Sequence, residues 1–292
     1  MTQILELFAG ESRCTILPEL GGSLAGWSVA GQALLRRSTA ADIANGDRRR
    51  LAAFPLVPYS NRIGHGQFAF EGETFRLPHN LPPEPHAIHG TGWEDPWAVT
   101  ALSASAVTLN LVHHGDDRWP WAFAARQEIA VTPHGLTLAL TATSLADKPV
   151  PLAFGHHPYF DSDGAMLRFR AGRVWLNDTN MLPIKLIECT DSFDFSTATS
   201  VAARQIDHCF SGWDGLARIT WADRPLAVEL VTDLPAAVVY LPAGGDRFCF
   251  EPVPHSNNAL NRADAVPPVP IIAPGDSFTA RVVFSAVEAL AG

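Results

Sequence analysis

A chain of 292 residues with 47% hydrophobic and only 17% charged residues has enough apolar material for a large core, and this balance argues against extended disorder. Its net charge of −9 leaves no surplus of Lys and Arg for a phosphate backbone, and Arg48-Arg49-Arg50 is too short a basic run to alter that, so nucleic acid is not an expected partner. The opening residues lack the basic start and apolar run of a secretory signal, and no later stretch is long enough to span a bilayer. The expectation is a cytoplasmic protein with no membrane partner. Cys14, Cys189, Cys209 and Cys249 are far apart and lack paired metal-ligand spacing, so neither a zinc knuckle nor a disulfide framework is expected.

In chain order, the first predicted element is the best helical candidate: Thr39 to Ala44, stopped by Asn45-Gly46 after little more than a turn. Phe68-Ala69-Phe70, Glu71-Gly72 and Thr74-Phe75-Arg76 then read as a hairpin. Val107, Leu109 and Leu111 share one face of a strand, as do Leu136, Leu138 and Leu140 after the turn Pro133-His134-Gly135. Asp223-Arg224-Pro225 separates two further apolar runs. With 23 prolines and 22 glycines spread along the whole length, nothing reads as a linker, and residues 1–292 are expected to form one all-β sandwich domain with few short helices.

Three segments carry chemistry: Ile88-His89-Gly90, Gly155-His156-His157-Pro158-Tyr159-Phe160, and Phe248-Cys249-Phe250-Glu251-Pro252. Imidazole and carboxylate can exchange acid and base roles near neutral pH, so their setting among apolar and aromatic residues points to an enzyme that moves protons inside a pocket.

Together with Pro55-Leu56-Val57-Pro58-Tyr59-Ser60-Asn61-Arg62-Ile63-Gly64, Ile206-Asp207-His208 and the Asn-rich stretch around Asn257, Asn258 and Asn261, these segments resemble the aldose 1-epimerases, or galactose mutarotases, over nearly the full chain. The resemblance implies a large β-sandwich of the galactose mutarotase-like (supersandwich) type with a carbohydrate cleft on one sheet. It also implies interconversion of the α and β anomers of a free small-molecule sugar, by a monomer or homodimer. Ring opening needs one group to take the anomeric hydroxyl proton and another to protonate the ring oxygen, with the roles reversed on closure. No cofactor, metal or covalent intermediate is required. Matched residue by residue, Glu251 is the general base and His157 the general acid. His89, Arg62 and Asp207 bind sugar hydroxyls, the arginine through its planar fork of donors.

His156 competes with His157, but a strand sends adjacent side chains to opposite faces, so one imidazole should reach the sugar, and the Pro-Tyr-Phe that follows favours His157. Trp93 could stack on a sugar face but is expected in the core, and His79, His86, His113, His114 and His134 are read as structural. Pro158 stands where many relatives carry a small hydroxyl residue, and the shorter chain implies reduced loops around the pocket. Two alternatives accompany the free-aldose reading: a hexose-6-phosphate 1-epimerase, with Arg48 to Arg50 as the cationic feature to watch, and a carbohydrate-binding or sensing protein without turnover. A carboxylate facing an imidazole predicts Glu251 ionised and His157 protonated at rest.

Overall fold

The computed structural model describes residues 2–289, and period-two alternation becomes strand along most of them. Strands β1 (Leu5–Ala9), β2 (Ser12–Leu17), β3 (Ser23–Val29) and β4 (Gln32–Leu35) form a four-stranded antiparallel meander. The helix α1 (Ala40–Asn45) follows where the sequence predicts one. Thr39 Oγ1 accepts the Asp42 amide at 3.1 Å, the Asp42 carboxylate accepts the Thr39 amide at 2.9 Å, and Gly46 ends the helix in the left-handed region.

The larger sheet is built from β5 (Ala98–Leu102), β6 (Ala106–His113), β7 (Phe123–Thr132), β8 (Gly135–Ser144), β9 (Tyr159–Asp161), β10 (Ala165–Asn177), β11 (Ile206–Trp221), β12 (Leu226–Thr232), β13 (Ala236–Leu241), β14 (Arg247–Val253) and β15 (Ser277–Glu288). Its order is β5-β6-β7-β8-β15-β12-β11-β13-β14-β9, with β10 paired to β11 and to the short strands Pro183–Glu188 and Thr199–Ser200, and every pairing is antiparallel. The predicted turns fall in place: Glu71-Gly72 joins Gln67–Phe70 to Glu73–Arg76, Pro133-His134 joins β7 to β8, and Asp223-Arg224-Pro225 joins β11 to β12.

The two sheets pack face to face. Leu5, Leu7, Cys14 and Ile16 of the meander share one buried cluster with Ile129, Leu138, Val282, Phe284 and Leu230 of the larger sheet. Burying each such aliphatic or aromatic side chain stabilises the fold by roughly 1.5–3 kcal/mol before entropy is counted. Gln127 Nε2 crosses the interface to Gly22 O at 2.8 Å, so even the polar group in this layer is satisfied. Among the described residues no helix is long and apolar enough to cross a membrane.

At one end of the large sheet the second face is covered as well. β13 and β14 are buried along nearly their whole length, because short strand pairs lie over them: Pro55–Leu56 with Gly155–His156, and Arg62–Ile63 with Ala87–Ile88. Phe54, Leu56, Ile88, Trp93, Trp175, Cys209, Val238, Cys249 and Val253 fill this second core.

Candidate active site

The register of the covered strands decides what faces that second core. Asp207, Tyr240, Cys249 and Tyr159 are successive partners across β11, β13, β14 and β9, while Cys209, Val238 and Glu251 form the row two residues along. Residues two apart on a strand share a face, so Asp207 and Glu251 both look into the layer under the covering strands. A cleft of about 270 Å³ opens there, lined by Asn61, Arg62, His89, His157, Asp207 and Glu251, with an aromatic frame of Phe54, Trp93, Tyr159 and Tyr240. That volume lies just below the range of drug-sized pockets and is on the scale of one monosaccharide. All five residues expected at the site are thus brought together from five separate stretches of chain. A larger groove of about 480 Å³ crosses Arg13, Gly26, Ser28 and Ala33 on the first sheet, but its lining contains no histidine and only one carboxylate, Glu6.

His157 is held by its backbone and by its ring. Its amide donates to Phe54 O at 3.0 Å, the Tyr159 amide donates to Ala52 O at 2.8 Å, and the imidazole lies stacked between Phe54 and Tyr159 at centroid distances of 4.5 and 4.7 Å. With the ring plane so fixed, Nε2 sits 3.3 Å from Glu251 Oε1. Gly155, which starts this segment, must be glycine: a Cβ there would stand 2.9 Å from Pro252 O. His156 is buried, does not line the cleft, and has no hydrogen-bond partner for Nε2 among the described residues.

His89 occupies the left-handed region at φ 63, a conformation that costs a non-glycine residue about 1–3 kcal/mol and persists only where the surroundings enforce it. Here the enforcement is reciprocal: the His89 amide donates to Asn61 O at 3.0 Å and the Asn61 amide donates to His89 Nδ1 at 3.2 Å. An Nδ1 that accepts leaves the proton on Nε2, so His89 offers an N–H donor. Gly90 completes the turn at φ 70, where a Cβ would come within 2.3 Å of Val57 O. Asn80 clamps the preceding residue by donating to Ile88 O and accepting the Ile88 amide, both at 2.9 Å.

Arg62 donates through Nε to Glu84 at 2.7 Å and through Nη2 to Asp207 at 3.2 Å. Burial opposes its charge, but Asp207 and Glu84 more than restore it. The loop that carries Asn61 and Arg62 is tied to the far end of the chain. The Ser60 amide donates to His255 Nε2 at 3.2 Å, while His255 Nδ1 is 2.8 Å from Ser256 O, which sets the tautomer.

The electrostatics reverse one expectation. Burial pushes the Glu251 carboxyl well above its usual range, Asp207 adds to the rise, and Arg62 only partly offsets it. Burial also pushes His157 down to about 3 and His89 well below its usual value. The favoured resting state is therefore an un-ionised pair with the proton on the carboxyl, not an ionised Glu251 facing a protonated His157. Desolvation outweighs the mutual attraction that the sequence suggested.

Of the basic run, Arg48 is structural, bonding Trp93 O and Glu94 O at 3.2 and 3.1 Å; Arg50 meets Asp42; Arg49 alone reaches the cleft, bound to Asp47 through two nitrogens. Trp93, expected in the core, is buried and also lines the cleft. Phe54, Asn61, Asn80, Glu84, Tyr240, Arg247 and His255 were not singled out from sequence. Asn61 lies inside the Pro55–Gly64 string, and Phe54 and Arg247 directly precede that string and the Phe248–Pro252 string, whereas Asn80, Glu84, Tyr240 and His255 lie outside all the strings.

An all-β sandwich is also what the comparisons with known proteins return. The family model for aldose 1-epimerase matches residues 3–285, and the chain belongs to that family. It is similar to the Escherichia coli K12 protein YphB, 27% identical over 79% of this chain and 82% of that one, and to the aldose 1-epimerase of the same organism, 25% identical over 62% and 60%. A crystal structure of a putative aldose 1-epimerase from E. coli K12 superposes with a TM-score of 0.89 at 24% identity, covering 99% of this chain and all of that one. A galactose mutarotase-like protein from Clostridium acetobutylicum gives 0.84 at 18% identity over 98% and 99%. At these identities the structural matches establish the fold, that of a galactose mutarotase-like β-sandwich.

Proposed function

We propose that the protein is an aldose 1-epimerase that interconverts the α and β anomers of a neutral free aldose, with Glu251 and His157 as its acid–base pair. The observation that carries this reading is the 3.3 Å approach of His157 Nε2 to Glu251 Oε1 inside a cleft of about 270 Å³. A pair that holds a single proton supplies one base and one acid, whichever member carries the proton at rest. In the productive complex the sugar lies between them. Glu251, as carboxylate, takes the proton of the anomeric hydroxyl while His157 gives one to the ring oxygen; the carbonyl face rotates, and the reverse transfers close the ring. Moving the resting proton from carboxyl to imidazole is a transfer within the pair, aided by sugar hydroxyls that donate to the carboxylate. His89 Nε2–H donates to the oxygen where charge develops, and Arg62 and Asp207, already paired to each other, donate to and accept from ring hydroxyls. The aromatic frame suits the apolar C–H face of a sugar.

A hexose 6-phosphate is the second reading, because Arg49 and Arg247 also line the cleft. Both have acidic neighbours, Asp47 on Arg49 and Asp246 on Arg247, which lowers the positive potential available to a phosphate. The test is a polarimetric or NMR time course on freshly dissolved single anomers of several aldoses and of their 6-phosphates. Acceleration of neutral aldoses supports the first reading, acceleration of phosphates alone replaces it with the second, and tight binding without acceleration indicates a sensor.

A further inference from the structure

Cys249 is a buried nucleophilic group beside the acid–base pair that proton transfer does not use. Its side chain shares the face of β14 with Glu251, two residues on, and one ring nitrogen of His157, the Cys249 thiol and a Glu251 carboxylate oxygen all lie within 4.8 Å of one another. His157 Nε2 faces Glu251 Oε1 at 3.3 Å, and the second carboxylate oxygen, Glu251 Oε2, is buried with no hydrogen-bond partner among the described residues, on a side chain whose residue is only 2% exposed.

We infer that His157, Cys249 and Glu251 form a binding site for one thiophilic divalent cation, with Zn²⁺ as the best match, and that the cation occupies the cleft in competition with sugar. A tetrahedral zinc with N, O and S ligands holds its donor atoms about 3.3–3.6 Å apart. The His157–Glu251 approach of 3.3 Å already meets that separation, and from the 4.8 Å limit the thiol needs to close by at most about 1.2–1.5 Å. The ligand set excludes hard cations, since Mg²⁺ and Ca²⁺ take oxygen donors, whereas thiolate with imidazole selects zinc and its softer neighbours. His157 and Glu251 line the cleft while Cys249 sits behind them, so an ion can enter from the mouth and keep its fourth position toward the cleft. On binding, the thiol proton leaves to solvent as the metal–sulfur bond forms, and any carboxyl proton leaves with it. The cation then holds the lone pairs that ring opening needs, so the bound form is inactive. The inhibitory consequence rests on the epimerase reading, but the site itself does not.

The test uses the full-length protein in a Cys189→Ser background, which removes the one cysteine that is not fully buried. Titration with Co²⁺ is expected to produce thiolate-to-cobalt charge-transfer absorption that one equivalent of Zn²⁺ abolishes. In parallel, Zn²⁺ is expected to slow mutarotation in a way that excess sugar or a chelator reverses. Cys249→Ser, with Cys249→Ala as a second variant, should keep the basal rate, lose the charge-transfer band and need about tenfold or more Zn²⁺ for the same inhibition. If neither variant folds, His157→Asn serves for the binding measurement alone and should weaken Co²⁺ by at least about tenfold. Absence of the band in a protein that turns over normally, or a band and inhibition unchanged in the cysteine variants, overturns the cation site. The band in a protein that accelerates no anomerisation leaves the site standing and overturns the epimerase reading.

Discussion

The two ends of the large sheet are built from the same antiparallel register but face different surroundings. In β6 the burial alternates strictly over most of its length, with Val107, Leu109 and Leu111 inside; on the outer face of this end Thr141 and Thr279 share a hydrogen bond of 2.8 Å in solvent. In β13 and β14 burial is nearly continuous, because the strand pairs carrying Pro55, Gly155, Arg62 and Ile88 form a lid over the second face. A carboxylate on the open end, such as Glu128, pairs with Arg126 on the exposed surface, where ion pairs contribute at most about 1 kcal/mol. A carboxylate on the covered end, Glu251, is desolvated, and its proton affinity rises well above the ordinary carboxylate range. The difference between these two carboxylates comes from the covering layer rather than from the strand.

The largest expected break in this contrast is catalytic. Glu251→Gln and His157→Asn should each lower the mutarotation rate by about a hundred- to ten-thousand-fold while the protein stays folded. Glu128→Gln, in the same sheet, should leave the rate unchanged and stability within about 0.5 kcal/mol. Polarimetry with matched thermal melts checks all three, and wild-type speed in both site variants would remove Glu251 and His157 from their roles.

Next in size is the lid itself. Gly90→Ala forces a Cβ to within 2.3 Å of Val57 O at φ 70, whereas Gly72→Ala in the exposed hairpin meets nothing within 4 Å at φ 82. Both variants carry left-handed strain of about 1 kcal/mol. Only the first adds a backbone clash, so we expect a loss of roughly 2–4 kcal/mol by denaturant titration together with a fall in rate as His89 shifts. Equal losses at the two positions would mean that the turn under His89 is not held against Val57.

The covered face also fixes the pH response. Burial holds His156 and His255 at about 4 and His157 at about 3, against about 6.5 in an unfolded chain, and holds His89 well below its usual value. Above 6.5 their contribution to stability is complete. As pH falls below that value the unfolded state binds protons that the native state refuses, and each histidine can remove up to about 1.4 kcal/mol per pH unit until its folded pKa is reached. Glu251, shifted up, acts in the opposite direction, since its native form keeps a proton that the unfolded chain releases above its ordinary value of 4.5. Burial also lowers His208 and raises Glu94, so five histidines against two carboxyls make the melting temperature fall between pH 6.5 and 4.5. A melting temperature that stays level or rises over that interval would mean that the imidazoles are hydrated.

Much of this was legible in the sequence. Thr39 and Gly46 bracket α1 because capping is local chemistry, and the alternation at Val107 or Leu136 is period two read directly. The opposite-face rule for His156 and His157 needs only strand geometry, and the cleft receives His157 alone. What escaped is whatever depends on distant segments meeting. His255 holds Ser60 and Glu84 braces Arg62 across separations of 195 and 22 residues, which no window along the chain reveals. The reversed protonation of Glu251 and His157 escaped for the same reason, since desolvation depends on the lid and not on the flanking residues. Cys249 was visible as a residue, but its nearness to His157 follows from β14 lying beside β9.

The smallest effect sharpens the contrast from the open side. Thr141 Oγ1 and Thr279 Oγ1 are 2.8 Å apart on β8 and β15, and Thr143 Oγ1 and Ser277 Oγ repeat the contact two residues along at 2.8 Å. Cross-strand pairs of this kind contribute roughly 0.2–1 kcal/mol each. Replacing Thr141 and Thr279 together by Val exchanges the hydrogen bond for β-branched apolar contact on a solvated face, so stability should change by no more than about 1 kcal/mol and the mutarotation rate should not change. On the covered face the opposite holds. There an orphaned polar partner cannot turn to water, and the penalty for each unsatisfied group is about 1–3 kcal/mol. A double-mutant cycle on Thr141 and Thr279 with a coupling well above 1 kcal/mol would therefore mean that the outer face of β8 and β15 is shielded from solvent, as a second copy of the chain docked there would shield it.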